Sequence, residues 1–310
     1  MALIKEIWVA DVQEALNRNA DFLPYSIDDS AYVAFGTVHI PQSGSNPTVV
    51  KNPATFPLPI SERTDADRTY ALNQFALEPT LITNLDELQI SYDKRQSVLG
   101  QQITTLTQRI GDEVAISWTA TGASNIVSTS GSAVGTALAP GATGTRKAVT
   151  LADIQALAQK LDKDNVPRSG RKLLMSTDMF WQLCSIDNVI RGSYNAFQTS
   201  QPNVLQTGIV MQLFGFDIMI RPVVSVFATG ATSPKAFGAA TATTDMLACI
   251  AFHSTTVRRA LGAMNPLYDA GSNGNGKPEY LGSIFNMEVM LGSAIGRDDM
   301  KGVASLVQVA

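Results

Sequence analysis

The stretch Leu85–Trp118, LDELQISYDKRQSVLGQQITTLTQRIGDEVAISW, decides how the rest of this chain is read. Leu85, Leu88, Tyr92, Leu99, Ile103, Leu106, Ile110, Val114 and Trp118 recur mostly at three- or four-residue steps, the spacing of one helix face. Asn84 and Glu87 supply a capping-box-like start, and Pro79 bounds the segment upstream. A helix over this span would be ~50 Å long at 1.5 Å per residue, whereas helices in globular proteins average only about 11–12 residues. The apolar steps do not hold a strict 3.5-residue repeat, so the pattern predicts a scaffold helix rather than a coiled coil. Ile103, Leu106 and Ile110 share the face expected to be buried, with Gln108 opposite; Gly100 and Gly111 read as bends.

Upstream, an apolar alternation through Tyr32, Val33, Phe35 and Val38 gives way to IPQSGSNPTVVKNPATFPLPI, Ile40 to Ile60. Pro41, Pro47, Pro53, Pro57 and Pro59 break any helix and remove ladder donors, which leaves extended backbone. Gly44-Ser45-Asn46 suits a hairpin tip. A segment with so few core residues cannot fold alone, and it reads as a long β-arm that needs a partner surface. Ahead of it, Leu3, Ile7, Trp8, Val12, Ala15 and Leu16 predict an amphipathic helix docked on a core, and the start lacks the pattern of a signal peptide.

Downstream of Trp118, charge disappears from Thr119 to Thr145, and most residues are Gly, Ala, Ser or Thr: a loop or a set of weak strands. Thr150 and Asp153 form a capping box ahead of Leu151, Ile154, Leu157 and Leu161. Leu173-Leu174-Met175 predicts a short buried strand, and Ser176-Thr177-Asp178 caps a further helix. Thr207 to Pro222 predicts a hairpin turning near Gly215, with Phe216, Ile218 and Ile220 on one face. Leu247 to Phe252 predicts a buried strand, Ser254 a cap for a short helix holding Arg258 and Arg259, and Tyr280–Met290 with Gly302–Val309 a closing antiparallel pair. The fold class is α+β.

With 310 residues, 45% of them hydrophobic, the chain can bury a sizeable core. Only 16% of residues are charged, against about 25% in typical domains, which excludes a disordered protein. The net charge of -4 argues against a dedicated nucleic-acid or membrane-surface binder. Two cysteines and two histidines exclude a disulfide framework and a zinc finger, and place the chain in a reducing cytoplasm. No stretch approaches the ~18 apolar residues of a membrane span.

Catalytic constellations are not found. The imidazoles are His39, on the proline-rich arm, and His253, after a buried strand; a Cys184–His253 dyad is the one thinkable nucleophile–base pair, and Cys184 and Cys249 read more simply as small buried hydrophobes. Gly271, Gly276 and Lys277 in GSNGNGKP mimic a phosphate loop, but Pro278 stands where Ser or Thr must hold magnesium. Asp298-Asp299 beside Arg297 reads as a solvated or inter-subunit charge cluster rather than a metal site. No cofactor is implied.

The order of these elements resembles the major capsid protein of tailed bacteriophages, the Hong Kong 97-type fold, over nearly the whole chain. RKLLMSTDMFWQL from Arg171, GIVMQLFGFDI from Gly208 to Ile218, Ala251-Phe252-His253 and the tail from Tyr280 onward, YLGSIFNMEVMLGSAIGRDDMKGVASLVQV, are each similar to short segments of that family in the same order. The resemblance implies an N-terminal arm or helix (1–27), an extended β-loop (28–80), a spine helix in a peripheral domain (81–120), an axial domain (121–260) and peripheral-domain closing strands (261–310). It implies a head protein that assembles as pentamers and hexamers into an icosahedral virion shell around double-stranded DNA, without sequence-specific DNA contacts and without a membrane. Scaffolding, portal or decoration proteins are the further partners it suggests, with assembly in the host cytoplasm. The expected inter-subunit residues are Val49, Val50, Lys51, Phe56, Glu62, Arg63, Arg68, Arg297, Asp298 and Asp299. An encapsulin-like compartment of the same fold, a cytoplasmic α/β enzyme and another virion part are the rival readings.

Overall fold

A computed structural model describes residues 21–44, 48–54, 56–58, 60, 62–83, 94–134, 143–184, 209–269, 279 and 281–310. The expected N-terminal helix, the cap at Asn84 and Glu87, and the phosphate-loop lookalike at 271–278 lie outside the described residues. In chain order the strands are β1 (Ile27–Asp28), β2 (Thr37–Gln42), β3 (Ala66–Ala71), β4 (Asn73–Ala76) and β5 (Thr80–Thr83), followed by helix α1 (Lys94–Trp118). Short strands β6 (Ile126–Ser128), β7 (Ala133–Val134) and β8 (Arg146–Lys147) precede α2 (Leu151–Lys163), β9 (Arg171–Ser176) and α3 (Thr177–Cys184). The remainder is β10 (Ile209–Leu213), β11 (Phe216–Arg221), β12 (Ser225–Phe227), β13 (Met246–His253), β14 (Val257–Asp269), β15 (Gly282–Ile295) and β16 (Val303–Val307).

Two sheets share α1. One has the order β1-β14-β15-β4, with β5 also on β15; the other runs β10-β11-β9-β13-β16-β6, with β12 on β13. Leu106, Ile110, Val114 and Trp118 of α1 pack against Phe285, Met287, Val289 and Leu291 of β15, and the same cluster reaches Leu174, Ile250 and Phe252 on one face of the second sheet. The buried face read from the periodicity is therefore the buried face found, and Gln108 is exposed. Trp118 closes the helix where the sheets meet: its indole Nε1 donates to the Arg258 carbonyl at 3.1 Å, and its ring lies 5.5 Å from Phe22 and 5.4 Å from Phe252. On the second sheet's far face α2 and α3 bury Ile154, Leu157, Leu161 and Phe180 over Leu173, Met175 and Ile218. The Thr150–Asp153 capping box forms as read.

Gly111 is not a bend. α1 runs through it unbroken, and the missing side chain admits the Arg221 guanidinium, which a Cβ would meet at 2.5 Å. That guanidinium donates to the Gln108 carbonyl at 2.9 Å and to Asp112 Oδ1 at 2.7 Å, tying the helix to β11.

Two expectations for the C-terminal third are corrected. Arg258 and Arg259 lie on strand β14, not on a helix. The start of β14 is covered on both faces, Val257 facing the α1 core and Ala260 a separate small cluster, so no two-residue alternation marks it as a strand. Nor do Tyr280–Met290 and Gly302–Val309 pair with each other. β15 pairs with β14, and β16 crosses to the other sheet, antiparallel to β13 and parallel to β6. Every residue of β16 is buried, as a strand covered on both faces requires.

Candidate inter-subunit surface

β2 and β3 form a two-stranded ladder, Thr37 opposite Ala71 and Gln42 opposite Ala66. Alternation sends Val38, Ile40 and Tyr70 inward against Ala260 and Ala294 of β14 and β15. The base of the arm thus buries its apolar face on its own subunit, which corrects the expectation that the whole arm needs a partner. Below Tyr70 sits an ion network. Asp29, fully buried, accepts from Arg258 Nη1 with both carboxylate oxygens (2.9 and 3.1 Å) and from the Tyr70 hydroxyl at 3.0 Å. Burial, then the Asp29 carboxylate, pushes the Tyr70 phenol well above its ordinary range.

The alternation read across Tyr32–Val38 is interrupted. Ala34 and Thr37 exchange backbone hydrogen bonds of 2.9 and 3.0 Å around Phe35 and Gly36, both at positive φ, and the strand begins only at Thr37. Gly44 is likewise not a tip: its N–H donates to Asp65 Oδ1 at 2.9 Å, across the root of a long loop running from 43 to 65. Ser45 and Asn46 lie outside the described residues.

That loop carries the expected contact residues. Val49 is 92% exposed, Phe56 76% and Ile60 99%, and Val50 and Leu58 are also open to solvent. Lys51 and Glu62 are exposed beside them. Arg63 donates from Nε to Asp65 Oδ1 at 2.6 Å, and this bond with the Gly44 N–H holds the Asp65 carboxyl down to about 2. The loop is thus polar and self-paired at its root and apolar beyond it.

Arg68 joins the Arg297, Asp298 and Asp299 cluster at the other margin of the arm. Arg68 Nη1 lies 2.8 Å from Asp298 Oδ1, and Arg297 grips Asp299 through two bonds of 2.9 and 2.7 Å, which depresses the Asp299 carboxyl. Lys301 Nζ stands 3.5 Å from the same carboxylate. Gln42 Nε2 adds a 2.6 Å bond to the Gly296 carbonyl. These contacts fasten the arm to the turn between β15 and β16. They do not bring Val49, Val50, Lys51, Phe56, Glu62 or Arg63 to that turn.

Among the described residues the Cys184–His253 pair is not joined by a hydrogen bond. His253 Nε2 donates to the Ser169 carbonyl at 2.7 Å and its Nδ1 lies 2.8 Å from the Thr255 hydroxyl, so both ring nitrogens are engaged by partners other than Cys184. Burial pushes the Cys249 thiol up to about 12, and raises Cys184 as well. Among the described residues no group of three or more His, Cys, Asp or Glu side chains could hold a metal ion, and no helix is long and apolar enough to cross a membrane.

No protein-family model matches the chain, and no curated protein matches it in sequence. Its architecture does match solved structures. The capsid of Ralstonia phage GP4 is 12% identical with a TM-score of 0.64, covering 92% of this chain and 87% of that one. The capsid structure of Cyanophage P-SCSP1u is 17% identical with a TM-score of 0.63, covering 92% and 86%. This chain has the phage capsid fold. The Cyanophage Pam1 capsid asymmetric unit agrees over 94% of this chain and 92% of its own, at 12% identity and a TM-score of 0.60. Leu58 and Ile60 were not among the expected contact residues, although apolar side chains in a proline-broken, non-periodic stretch have no core to enter; Tyr32 and Phe35, exposed as well, carried the signal of an alternating strand instead.

Proposed function

We propose that this protein is the major capsid protein of a tailed phage, of the Hong Kong 97 type, and that it assembles into a closed icosahedral shell around double-stranded DNA. The role is structural rather than catalytic. The observation that carries it is the loop from 43 to 65, which holds Val49, Val50, Phe56, Leu58 and Ile60 in solvent at the end of an arm whose root is fastened to its own subunit. Large exposed apolar patches are rare on monomeric proteins and mark interaction surfaces. A shell of identical copies covers this loop once per subunit. Val49, Val50, Lys51, Phe56, Glu62 and Arg63 are then the residues that reach a neighbour, while Arg68, Arg297, Asp298 and Asp299 set the angle at which the arm leaves. The axial part of the shell subunit corresponds to the sheet containing β13, the peripheral part to α1 with the sheet containing β15. Scaffolding, portal and decoration proteins are the further partners such a shell recruits.

Electron microscopy and sedimentation of the purified chain test this reading. Rings or closed shells are expected. A species that stays near 33 kDa at every protein and salt concentration, with and without a scaffolding protein, overturns it.

A further inference from the structure

One residue of the arm combines two unfavourable features. Phe35 is 108% exposed and holds a φ of +50°, with Gly36 following at +76°. Two-residue turns with positive φ at both positions favour Asn, Asp or Gly at the first, because a β-carbon is crowded there. A phenylalanine gains nothing for the subunit at this position: its ring buries no surface, and its backbone is strained. Tyr32, one turn of chain earlier, is 74% exposed. The turn is rigid, closed by the Ala34–Thr37 exchange and by the Leu72 N–H donating to the Gly36 carbonyl at 2.9 Å. A second Phe-Gly turn with the same signs of φ, Phe214-Gly215, makes the contrast clear. Its ring is 47% exposed and lines a cavity of about 370 Å³ with Arg168, Gln212 and Asp217.

The register of the ladder places this turn and the apolar loop at opposite ends. Thr37, next to the turn, pairs with Ala71, and Gln42, next to the loop, pairs with Ala66. One ladder thus carries a rigid aromatic pair at one end and five exposed apolar side chains at the other. Two different apolar patches on identical subunits fit a head-to-tail contact, which closes into rings. Asp28 beside the turn is already paired, with the Ser30 N–H and hydroxyl and with Arg259 Nη2 at 3.3 Å, so the turn offers an apolar surface rather than a free charge.

We propose that the Tyr32–Phe35 turn is the seat on which the apolar loop of a neighbouring copy docks. The inference rests on the shell reading above and names the surface that receives the loop. Rigid, exposed aromatic residues are the side chains that commonly anchor protein interfaces.

Phe35→Asn in the full chain tests it, because asparagine tolerates the turn. The subunit is expected to melt at or above the wild-type midpoint, while the assembled fraction in sedimentation falls at least tenfold. A variant that assembles like wild type overturns the seat, and so does one that melts several degrees lower, since its ring would then be packing within its own subunit. A second variant, Ala34→Cys with Ile60→Cys, is expected to give disulfide-linked ladders of subunits on oxidation of assembled material, with neither single substitution doing so. Absence of the ladder in assembled double variant overturns the seat while leaving the shell reading intact. A wild-type chain that never assembles overturns both.

Discussion

Asp29 is the residue on which the root of the arm depends. It is buried, and its two oxygens serve an arginine on β14 and a tyrosine on β3, so three distant parts of the chain meet at one carboxylate. Asp29→Ala leaves Arg258 and the Tyr70 hydroxyl without that partner, at an expected cost of about 3 kcal/mol, since breaking a buried pair strands the remaining charge. Chemical denaturation of the subunit checks this, and loss of well under 1 kcal/mol would show the network to be incidental. Cys249 makes a second prediction at this scale. Its thiol, fully buried beside Met179, stays protonated at neutral pH, so a thiol reagent should modify Cys249 only at the rate of global unfolding and should reach half-buried Cys184 first. Peptide mapping after timed labelling distinguishes the two.

At the scale of elements, α1 contains a built-in comparison. Gly100 and Gly111 are both glycines inside a helix, where alanine is ordinarily better by roughly 0.5–1 kcal/mol. Nothing lies within 4 Å of a Cβ at Gly100, whereas at Gly111 the Arg221 guanidinium occupies that space. Gly100→Ala should therefore stabilise by about that amount. Gly111→Ala should destabilise by about 1–2 kcal/mol, because the guanidinium loses its bonds to Gln108 and Asp112. Thermal melts of the two variants should move in opposite directions. Equal shifts would mean that the helix and β11 are not coupled through Arg221.

The whole molecule divides what it needs for folding from what it offers to neighbours. The arm root is part of the core, with Val38, Ile40 and Tyr70 buried, while the loop beyond it is joined to the body through Gly44, Arg63 and Asp65 at its own base. Deleting Gly44 to Pro53 should leave a cooperative melt within a few degrees of wild type, because residues 48–52 are exposed and the Gly44–Asp65 bond lies at the surface, and the entropy of closing the shortened loop changes by less than about 1 kcal/mol. The same deletion should abolish shells. A deletion variant that loses its cooperative transition would show that the loop belongs to the core.

What the sequence determined by itself is what local interactions determine. The 3.6-residue periodicity of α1, the Thr150–Asp153 capping box of α2, the buried runs of β9 and β13 and the Phe214-Gly215 hairpin turn all arise from residues within a few positions of one another, and each is found where it was read, the helix over its described part, Lys94–Trp118. The exposure of Val49, Val50 and Phe56 was legible for a related reason: prolines and an absent period leave such side chains no element to hide behind. The tertiary structure alone decided the partners. The start of β14 was read as a helix holding Arg258 and Arg259, because burial on both faces, Val257 toward α1 and Ala260 toward the arm root, erases the two-residue alternation. β16 looked like a partner of β15 because a strand buried on both faces carries no mark of which sheet it enters. Arg68 met Asp298 across 230 positions, and Asp29 met Arg258 across 229. Such pairings gain their energy only after the chain has closed long loops, so no local pattern of residues records them.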